Sequence, residues 1–236
     1  MKYLFLFASF LLGLFPLFIH AAAIQVTPTR INLDNNAAIA TLGLSNKAST
    51  PSMIQIQITH WTQTGDQDVY VPSTDLIVSP PIMSIAPGKS QLIRIALRKN
   101  SEQRNEEDAY RIYVQEIPKY HPANMPGVAF ALRFGIPIFI APTVAVKHVL
   151  EWKTEKLANN NLQLLVMNSS NTHVQFTHLT LMDASTHKSL ISQDVFVYLL
   201  PHQSKEWLFK LSSNPGQNIE VHAISDWGIL LAKINA

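Results

Sequence analysis

The sequence predicts an all-β protein built from two β-sandwiches, and three observations lead to this prediction. Several short segments alternate apolar and polar residues, which places one face of each strand in a core and the other in water. Turn-forming residues separate these segments at short intervals, as is typical of sandwiches. No amphipathic helical stretch of useful length competes with the strands.

The first 23 residues have the pattern of a secretory signal peptide. Lys2 is followed by an apolar run from Tyr3 to Ile19. Ala21 and Ala23 are small residues at the two positions that signal peptidase reads, so we expect cleavage after Ala23 and a secreted mature chain. A membrane anchor is the alternative, but the apolar run is short for a bilayer span and ends at a cleavage pattern.

Residues 24–141 are predicted to form the first sandwich. Its clearest alternating segments are residues 53–59, 92–97 and 111–117. Turn residues stand between them at Gly65-Asp66, Pro80-Pro81 and Pro87-Gly88. The segments are short and bounded by turn residues, which favours a sandwich, and roughly 120 residues is an ordinary size for one.

Residues 142–236 are predicted to form the second sandwich. Its predicted strands are residues 149–152, 162–167, 174–181, 194–200, 206–211 and 219–224. Asparagine-rich turns separate several of them, and Ala141-Pro142-Thr143 separates this set of strands from the first. We therefore place the domain boundary near Pro142.

The composition excludes several classes of function. The chain has no cysteine, so no disulfide stabilises the fold and no thiol does chemistry. Its formal net charge is only +2, and no long block of lysine and arginine is present. A nucleic-acid or membrane-surface partner would need such a block, and we expect neither.

Sequence motifs of catalysis and metal binding are also missing. The chain has no His-Glu-x-x-His, no Gly-x-Ser-x-Gly and no glycine-rich phosphate loop. His173 and His178 are five residues apart, which puts them on opposite faces of a strand, so we interpret them as surface histidines. We predict that the protein is not an enzyme and uses no cofactor or metal. A secreted hydrolase with dispersed catalytic residues is the less favoured alternative.

The segment from Val128 to Phe139 is unusual because one face is bulky and the other nearly bare. The bulky face carries Val128, Phe130, Leu132, Phe134 and Ile136, and the intervening residues are mostly small. Pro137 has no N–H for a ladder, so the strand should lie at a sheet edge or end its regular pairing there. Two interpretations are open: a last core strand of the first sandwich, or a strand kept for another chain.

Several motifs occur in an order that resembles one known family. They are Thr27-Pro28-Thr29-Arg30, Ser79-Pro80-Pro81, residues 86–95, Tyr110 to Pro118, Leu200-Pro201 and Ile224-Ser225-Asp226-Trp227-Gly228. Each is weak alone, but their order and spacing resemble the periplasmic pilus (fimbrial) assembly chaperones of the chaperone–usher pathway. The short connection from residue 118 to 127 and the run from Arg133 to Pro137 look more like the archaic branch of that pathway.

The resemblance implies two immunoglobulin-like β-sandwich domains joined at an angle, with a cleft between them. It also implies a periplasmic chaperone that donates an edge strand to pilin subunits, its clients, and delivers them to an outer-membrane usher. The implied donor residues are Val128, Phe130, Leu132 and Phe134. Free of a client, the protein should shield this strand, for which self-association is one means. A structural or adhesive immunoglobulin-like module, such as a pilus subunit, is the alternative.

The resemblance further implies a pair of basic residues that bind the client's C-terminal carboxylate. Arg30 matches the first of them, and a guanidinium offers parallel donors that suit a carboxylate. Pro137 stands where the family usually has a lysine, and its side chain cannot bind an anion. Arg133 lies four residues earlier on the same strand face. It is predicted either to replace the lysine or to be a solubilising charge on an exposed edge.

A third implied group ties the two domains together through an arginine and two carboxylates. The matching positions are Arg94, Glu107 and Asp226. If these residues meet, they fix the angle of the cleft rather than contact the client. The alternative is three separate surface charges.

Overall fold

The computed structural model describes residues 24–98, 103–118, 131–211, 216 and 218–235. Every regular element among these residues is a β-strand, which confirms the predicted all-β class. In the described part of the chain, no helix is long and apolar enough to cross a membrane.

Ten strands in the first half of the chain form a sandwich. They are β1 (Ile24–Thr27), β2 (Ile31–Leu33), β3 (Ile39–Asn46), β4 (Ser52–Thr64), β5 (Gln67–Pro72), β6 (Leu76–Ser79), β7 (Ile82–Ile85), β8 (Ser90–Leu97), β9 (Asp108–Ile117) and β10 (Arg133–Ile140). One sheet has the order β1-β3-β8-β6, and the other has the order β2-β10-β9-β4-β5 with β7 paired to β4. Alternate residues of both sheets, among them Leu42, Ile93 and Ile112, are fully buried in one shared core.

Seven further strands form a second sandwich. They are β11 (Leu150–Leu157), β12 (Asn161–Asn168), β13 (Val174–Asp183), β14 (Ser189–Leu199), β15 (Ser204–Lys210), β16 (Asn218–Ser225) and β17 (Gly228–Asn235). The sheets have the orders β11-β12-β15 and β14-β13-β16-β17. Leu164 from one sheet and Phe176 from the other are fully buried in a second core, separate from the first.

Strand β10 pairs differently along its two halves. On one side it pairs antiparallel with β9 over its whole length, from Arg133 to Ile140. On the other side it pairs parallel with β2, but only from Ile138 to Ile140. Pro137 stands where the second pairing stops, because proline has no N–H to donate to a second neighbour. From residue 133 to 137, one backbone edge of β10 therefore has no partner strand within the described residues.

A small aromatic cluster joins the two sandwiches. It contains Trp61, Ala109 and Phe139 from the first sandwich and Leu200 and Tyr198 from the second. The ring centroids of Trp61 and Tyr198 are 5.5 Å apart in an edge-to-face arrangement, which aromatic pairs prefer. The polar groups of the junction lie against this apolar contact.

The side-chain amide of Gln63 adds two hydrogen bonds to this contact. Its Nε2 donates to the carbonyl of Tyr198 at 2.9 Å, and its Oε1 accepts from the N–H of Leu200 at 2.9 Å. Strand β4 of the first sandwich is thereby joined to the end of β14 in the second.

Candidate functional site at the junction of the two sandwiches

Four charged side chains form a chain of contacts across the junction. We call Arg30, Glu107, His173 and Asp226 the junction cluster. Nη1 of Arg30 donates to Oδ2 of Asp226 at 2.8 Å. Nδ1 of His173 is 2.6 Å from Oε1 of Glu107, and its Nε2 is 3.2 Å from Oδ2 of Asp226. Because Arg30 and Glu107 belong to the first sandwich and the other two to the second, the cluster connects the domains.

The ends of strands position all four members of the junction cluster. Arg30 directly precedes β2, Glu107 directly precedes β9, and His173 directly precedes β13. Asp226 lies in the turn between β16 and β17. Oδ1 of Asp226 accepts from the N–H of Gln175 at 2.9 Å, which leaves its other carboxylate oxygen directed at Arg30 and His173.

A buried asparagine fixes the loop that carries His173. Asn168 is fully buried, and its Nδ2 donates to the carbonyls of Thr172 and Leu199, each at 2.9 Å. Its Oδ1 accepts from the N–H of Ser170 at 3.0 Å. The first sandwich has a counterpart in the buried Asn46. The amide therefore satisfies loop carbonyls that would otherwise be buried without donors, and it orders the backbone before His173.

Burial and neighbouring charges have opposite effects on the pKa values of His173 and Asp226. The side chains of Glu107, His173 and Asp226 are only 7%, 9% and 17% exposed. Burial alone would lower the pKa of His173, but contacts with the carboxylates of Asp226 and Glu107 raise it above its ordinary value. Burial alone would raise the pKa of Asp226, but His173, the N–H of Gln175 and Arg30 hold it below its usual range. Below that raised pKa, His173 is an imidazolium between two carboxylates.

The structure brings together two members of the predicted interdomain group but not the third. Glu107 and Asp226 meet through His173. Arg94 is exposed on β8, paired with Thr41 and Ser79, and in the described part of the chain it forms no ion pair with either carboxylate. The central cation is His173.

The interpretation of His173 as a surface histidine is wrong. Its ring is buried and stacked on Phe139, with the ring centroids 3.5 Å apart. In the sequence it has only the appearance of a polar residue at the end of an asparagine-rich loop, so nothing distinguished it from exposed histidines. His178 does lie partly exposed, paired with Asp194.

Arg133 lies away from the junction cluster. Its guanidinium carbon is 3.8 Å from the ring centroid of Tyr113 on the neighbouring strand. Phe139, the β10 residue that touches His173, is six residues further along, which is about 20 Å in a strand. In this structure Arg133 forms a cation–π contact on an exposed strand.

Arg111 is a basic residue that the sequence analysis missed. It lies on β9 directly opposite Pro137, and its guanidinium carbon is 4.3 Å from the ring centroid of Trp61. Its Nε is buried and has no hydrogen-bond partner among the described residues. Pro137 of β10 stands where the family usually has a lysine, and the residue paired with it on β9 is basic. Only the register of the two strands reveals this pairing.

The bare face of β10 gives Arg111 its room. A Cβ at Gly135 would lie 3.2 Å from Cδ of Arg111 and 3.2 Å from the ring of Tyr113. The small residues that alternate with the bulky ones thus make space for long side chains of β9. The same alternation that suggested an edge strand also makes a shallow cationic site beside the aromatic cluster.

Both arginines of the junction act electrostatically on Tyr198. Burial raises the pKa of Tyr198, and the positive charges of Arg30 and Arg111 both oppose that rise. Both arginines are thus close enough for their charges to act on one phenol.

Cavities at the junction adjoin both arginines. One, of about 340 Å³, is lined by Arg111, Trp61 and Tyr198. Another, of about 250 Å³, is lined by Arg30 and Asp226 among others.

The structure describes two of the four predicted donor residues. Val128 and Phe130 lie outside the described residues. Leu132 and Phe134 are half-buried, and Phe134 packs against the first core. Ile136 is 5% exposed, so burial increases along the strand from Leu132 to Ile136. In the isolated chain this face is therefore shared between the protein's own core and solvent.

Sequence comparisons match residues 23–233 of the chain to one family. The family "Pili and flagellar-assembly chaperone, PapD N-terminal domain" matches residues 23–145. The family "Pili assembly chaperone PapD, C-terminal domain" matches residues 145–233. The Chaperone protein LpfB of Salmonella typhimurium is 27% identical over 124 residues, which cover 52% of this chain and 51% of LpfB. The match thus spans about half the length of that relative.

Solved structures share the two-domain fold. The CsuC–CsuE chaperone–tip adhesion subunit complex from archaic chaperone–usher Csu pili of Acinetobacter baumannii matches with a TM-score of 0.66 at 22% identity, covering 90% of this chain and 98% of the other. The Salmonella enterica SafA pilin in complex with the SafB chaperone matches with a TM-score of 0.63 at 18% identity, covering 92% and 97%. At these identities the likeness establishes the fold. Because the two PapD domains together account for residues 23–233, the chain belongs to the PapD family of pilus-assembly chaperones.

Proposed function

We propose that this protein is a periplasmic chaperone that binds pilin subunits by pairing the free edge of β10 with them. The observation that carries the proposal is the edge of β10 from residue 133 to 137, which pairs with no other strand that the structure describes. Backbone N–H and C=O groups on such an edge are ready to form a ladder with another chain. A protein that kept this edge without a use would be exposed to aggregation.

Apolar side chains supply the affinity in this proposal. Leu132 and Phe134, with the predicted donors Val128 and Phe130, would fill a groove in a client that lacks one strand. Burying each such side chain contributes about 1.5–3 kcal/mol before the costs of ordering and association. Backbone pairing then sets the direction of the client strand. The side chains determine which client strand can bind.

The carboxylate site in this proposal consists of Arg30 and Arg111 rather than Arg30 and Arg133. Arg30 uses one N–H for Asp226 and is 36% exposed, so further donors of its guanidinium are free to bind an anion. Arg111 has a buried Nε without a partner in the described part of the chain, which a carboxylate would satisfy. Both arginines lie near Tyr198, whereas Arg133 is engaged with Tyr113 on β9.

The compartment and the later partner rest on the sequence and the family. The predicted signal peptide, residues 1–23, would direct the chain to the periplasm, with two mature domains at 24–141 and 142–236. Delivery to an outer-membrane usher, and assignment to the archaic branch, follow from the family resemblance and the run from Arg133 to Pro137. We also expect the free protein to self-associate through the β10 edge.

Co-expression in the periplasm tests the proposal. The mature chain is produced with and without a pilin subunit encoded in the same genome, and soluble complexes are sized by chromatography with light scattering. We expect a soluble one-to-one complex and loss of the subunit to proteolysis when the chaperone is absent. Polymers that contain this chain would instead identify it as a pilus subunit, and a subunit that stays soluble alone would remove the need for a chaperone.

A further inference from the structure

His173 is the one member of the junction cluster that can change charge near neutral pH. Both of its ring nitrogens face carboxylate oxygens, Nδ1 at 2.6 Å from Glu107 and Nε2 at 3.2 Å from Asp226. A neutral imidazole has only one N–H, so one nitrogen would present a lone pair to a carboxylate. Only the imidazolium presents a proton at both contacts.

The same carboxylate oxygen serves His173 and Arg30. Oδ2 of Asp226 is 2.8 Å from Nη1 of Arg30 and 3.2 Å from Nε2 of His173. Nε2 of His173 has no hydrogen-bond partner among the described residues, so its contact with Asp226 acts through charge. The charge on His173 therefore decides how strongly Asp226 holds Arg30.

We propose that His173 is a positioning residue for Arg30: its imidazolium shares the carboxylate of Asp226, and this sharing leaves Arg30 able to bind the terminal carboxylate of a client. The inference rests on the proposed function, because it concerns the use of Arg30 as a carboxylate anchor. It adds that client binding is linked to the protonation of a residue that does not touch the client.

The charge balance of the cluster gives the direction of the effect. With His173 protonated, two positive and two negative groups cancel, and Arg30 can accept another anion. When His173 loses its proton, Arg30 becomes the only cation of the cluster, which then carries a net negative charge. An incoming carboxylate is repelled and must compete with Asp226 for Arg30. Client affinity should therefore fall as pH rises.

The pH window follows from the surroundings of His173. Glu107 faces it from the start of β9, Asp226 from the turn after β16, and Arg30 lies beyond Asp226 before β2. Tyr198 of β14 has its ring centroid 5.7 Å away and stays neutral at these pH values because burial raises its pKa. Phe139 of β10 covers one ring face.

The sign of the linkage is fixed by the raised pKa of His173 in the folded protein. The protonated junction is fully formed below about pH 6.5, the ordinary value for histidine. It is lost as pH rises through the higher folded value. The change in client affinity should therefore occur above about pH 6.5.

A pair of peptides measures the anchor without a known client. The probe is a synthetic peptide of alternating apolar residues ending in a free carboxylate, and its match is the same peptide with a C-terminal amide. Binding to the full mature chain is measured by calorimetry from about pH 6 to about pH 9, which brackets the titration of His173. We expect the preference for the free acid to fall by about fivefold or more, a typical size for linked sites.

Two variants assign the effect to one histidine. His173→Gln should give a preference that no longer changes with pH. The control is His222→Gln, because His222 on β16 lies 3.9 Å from Glu220 and does not line the cavity that holds Arg30 and Asp226, and this variant should keep the wild-type profile. The titration of the His173 ring, followed by proton NMR in the wild-type protein, should share its midpoint with the peptide profile.

The outcomes distinguish the role of His173 from the existence of the carboxylate site. A free-acid preference that is constant over the whole pH range would overturn the role of His173 and leave the proposed function intact. A free acid and an amide that bind alike, or two peptides that do not bind at any pH, would overturn the carboxylate site itself. A pH profile that persists in His173→Gln would assign the linkage to another group and refute this inference.

Discussion

The replacement of Arg111 by methionine separates the two candidates for the second basic residue. Arg111→Met keeps an unbranched apolar stem and removes only the guanidinium. That group is 4.3 Å from the ring centroid of Trp61, and the contact stabilises the folded protein by about 0.5–2 kcal/mol. Its buried Nε, which has no partner among the residues that the structure describes, costs about 1–3 kcal/mol. Because the two effects oppose each other, the free energy of unfolding should change little.

Client affinity should respond quite differently to Arg111→Met. Loss of one partner of a desolvated charge pair costs about 2–5 kcal/mol, which is about 30-fold to several thousand-fold in Kd. The matched variant is Arg133→Met, which removes an exposed charge over Tyr113 and should cost about 1 kcal/mol or less. Titration calorimetry of each variant with a purified pilin subunit, together with urea unfolding, gives both quantities. A larger loss of affinity in Arg133→Met than in Arg111→Met would refute the assignment.

Three other substitutions test the carboxylate anchor, the donor strand and the loop before His173. Arg30→Ala should weaken client binding by about 2–5 kcal/mol in the same calorimetry and leave the free protein folded, and unchanged binding would remove Arg30 from the site. Leu132→Asp should abolish co-purification of the pilin subunit, whereas Leu208→Asp, at an exposed position on β15, should not; equal effects would contradict strand donation. Asn168→Ala should lower the free energy of unfolding by about 3 kcal/mol, because the buried carbonyls of Thr172, Leu199 and Leu200 lose their donor, and a change below about 1 kcal/mol would show that the loop orders itself.

Much of the fold was predictable because strands record their burial in a period of two. The alternation in residues 53–59 and 92–97 corresponds to the inward and outward faces of β4 and β8. Pro137 was predicted to lie at a sheet edge or to end regular pairing; its pairing with β9 continues through Arg111, and the ladder with β2 is present only from the next residue onward. The alternation of burial and the effect of proline both depend on residues that are close in sequence, so one sequence is enough to predict them.

The junction cluster was predictable only in part, because its contacts join residues far apart in sequence. The resemblance implied that Arg94, Glu107 and Asp226 meet, whereas in this structure Glu107 and Asp226 both contact His173 and Arg94 is not among their ion-pair partners in the described residues. Arg111 became a candidate only through the register that sets it opposite Pro137. Register between strands separated by a long connection depends on the whole sheet, and no local pattern encodes it.

The division of β10 into two halves explains how one strand can hold the fold and still serve a client. Ile138 and Ile140 are buried and lie between β9 and β2, so the second half is fixed by the chaperone's own core. The first half keeps its pairing with β9, and its backbone is therefore already extended before a client arrives. A pre-ordered edge avoids most of the entropy cost of forming a strand at the moment of binding. Proline at the boundary prevents β2 from extending its ladder along that edge, so the residue that removes the family's lysine also keeps the edge open.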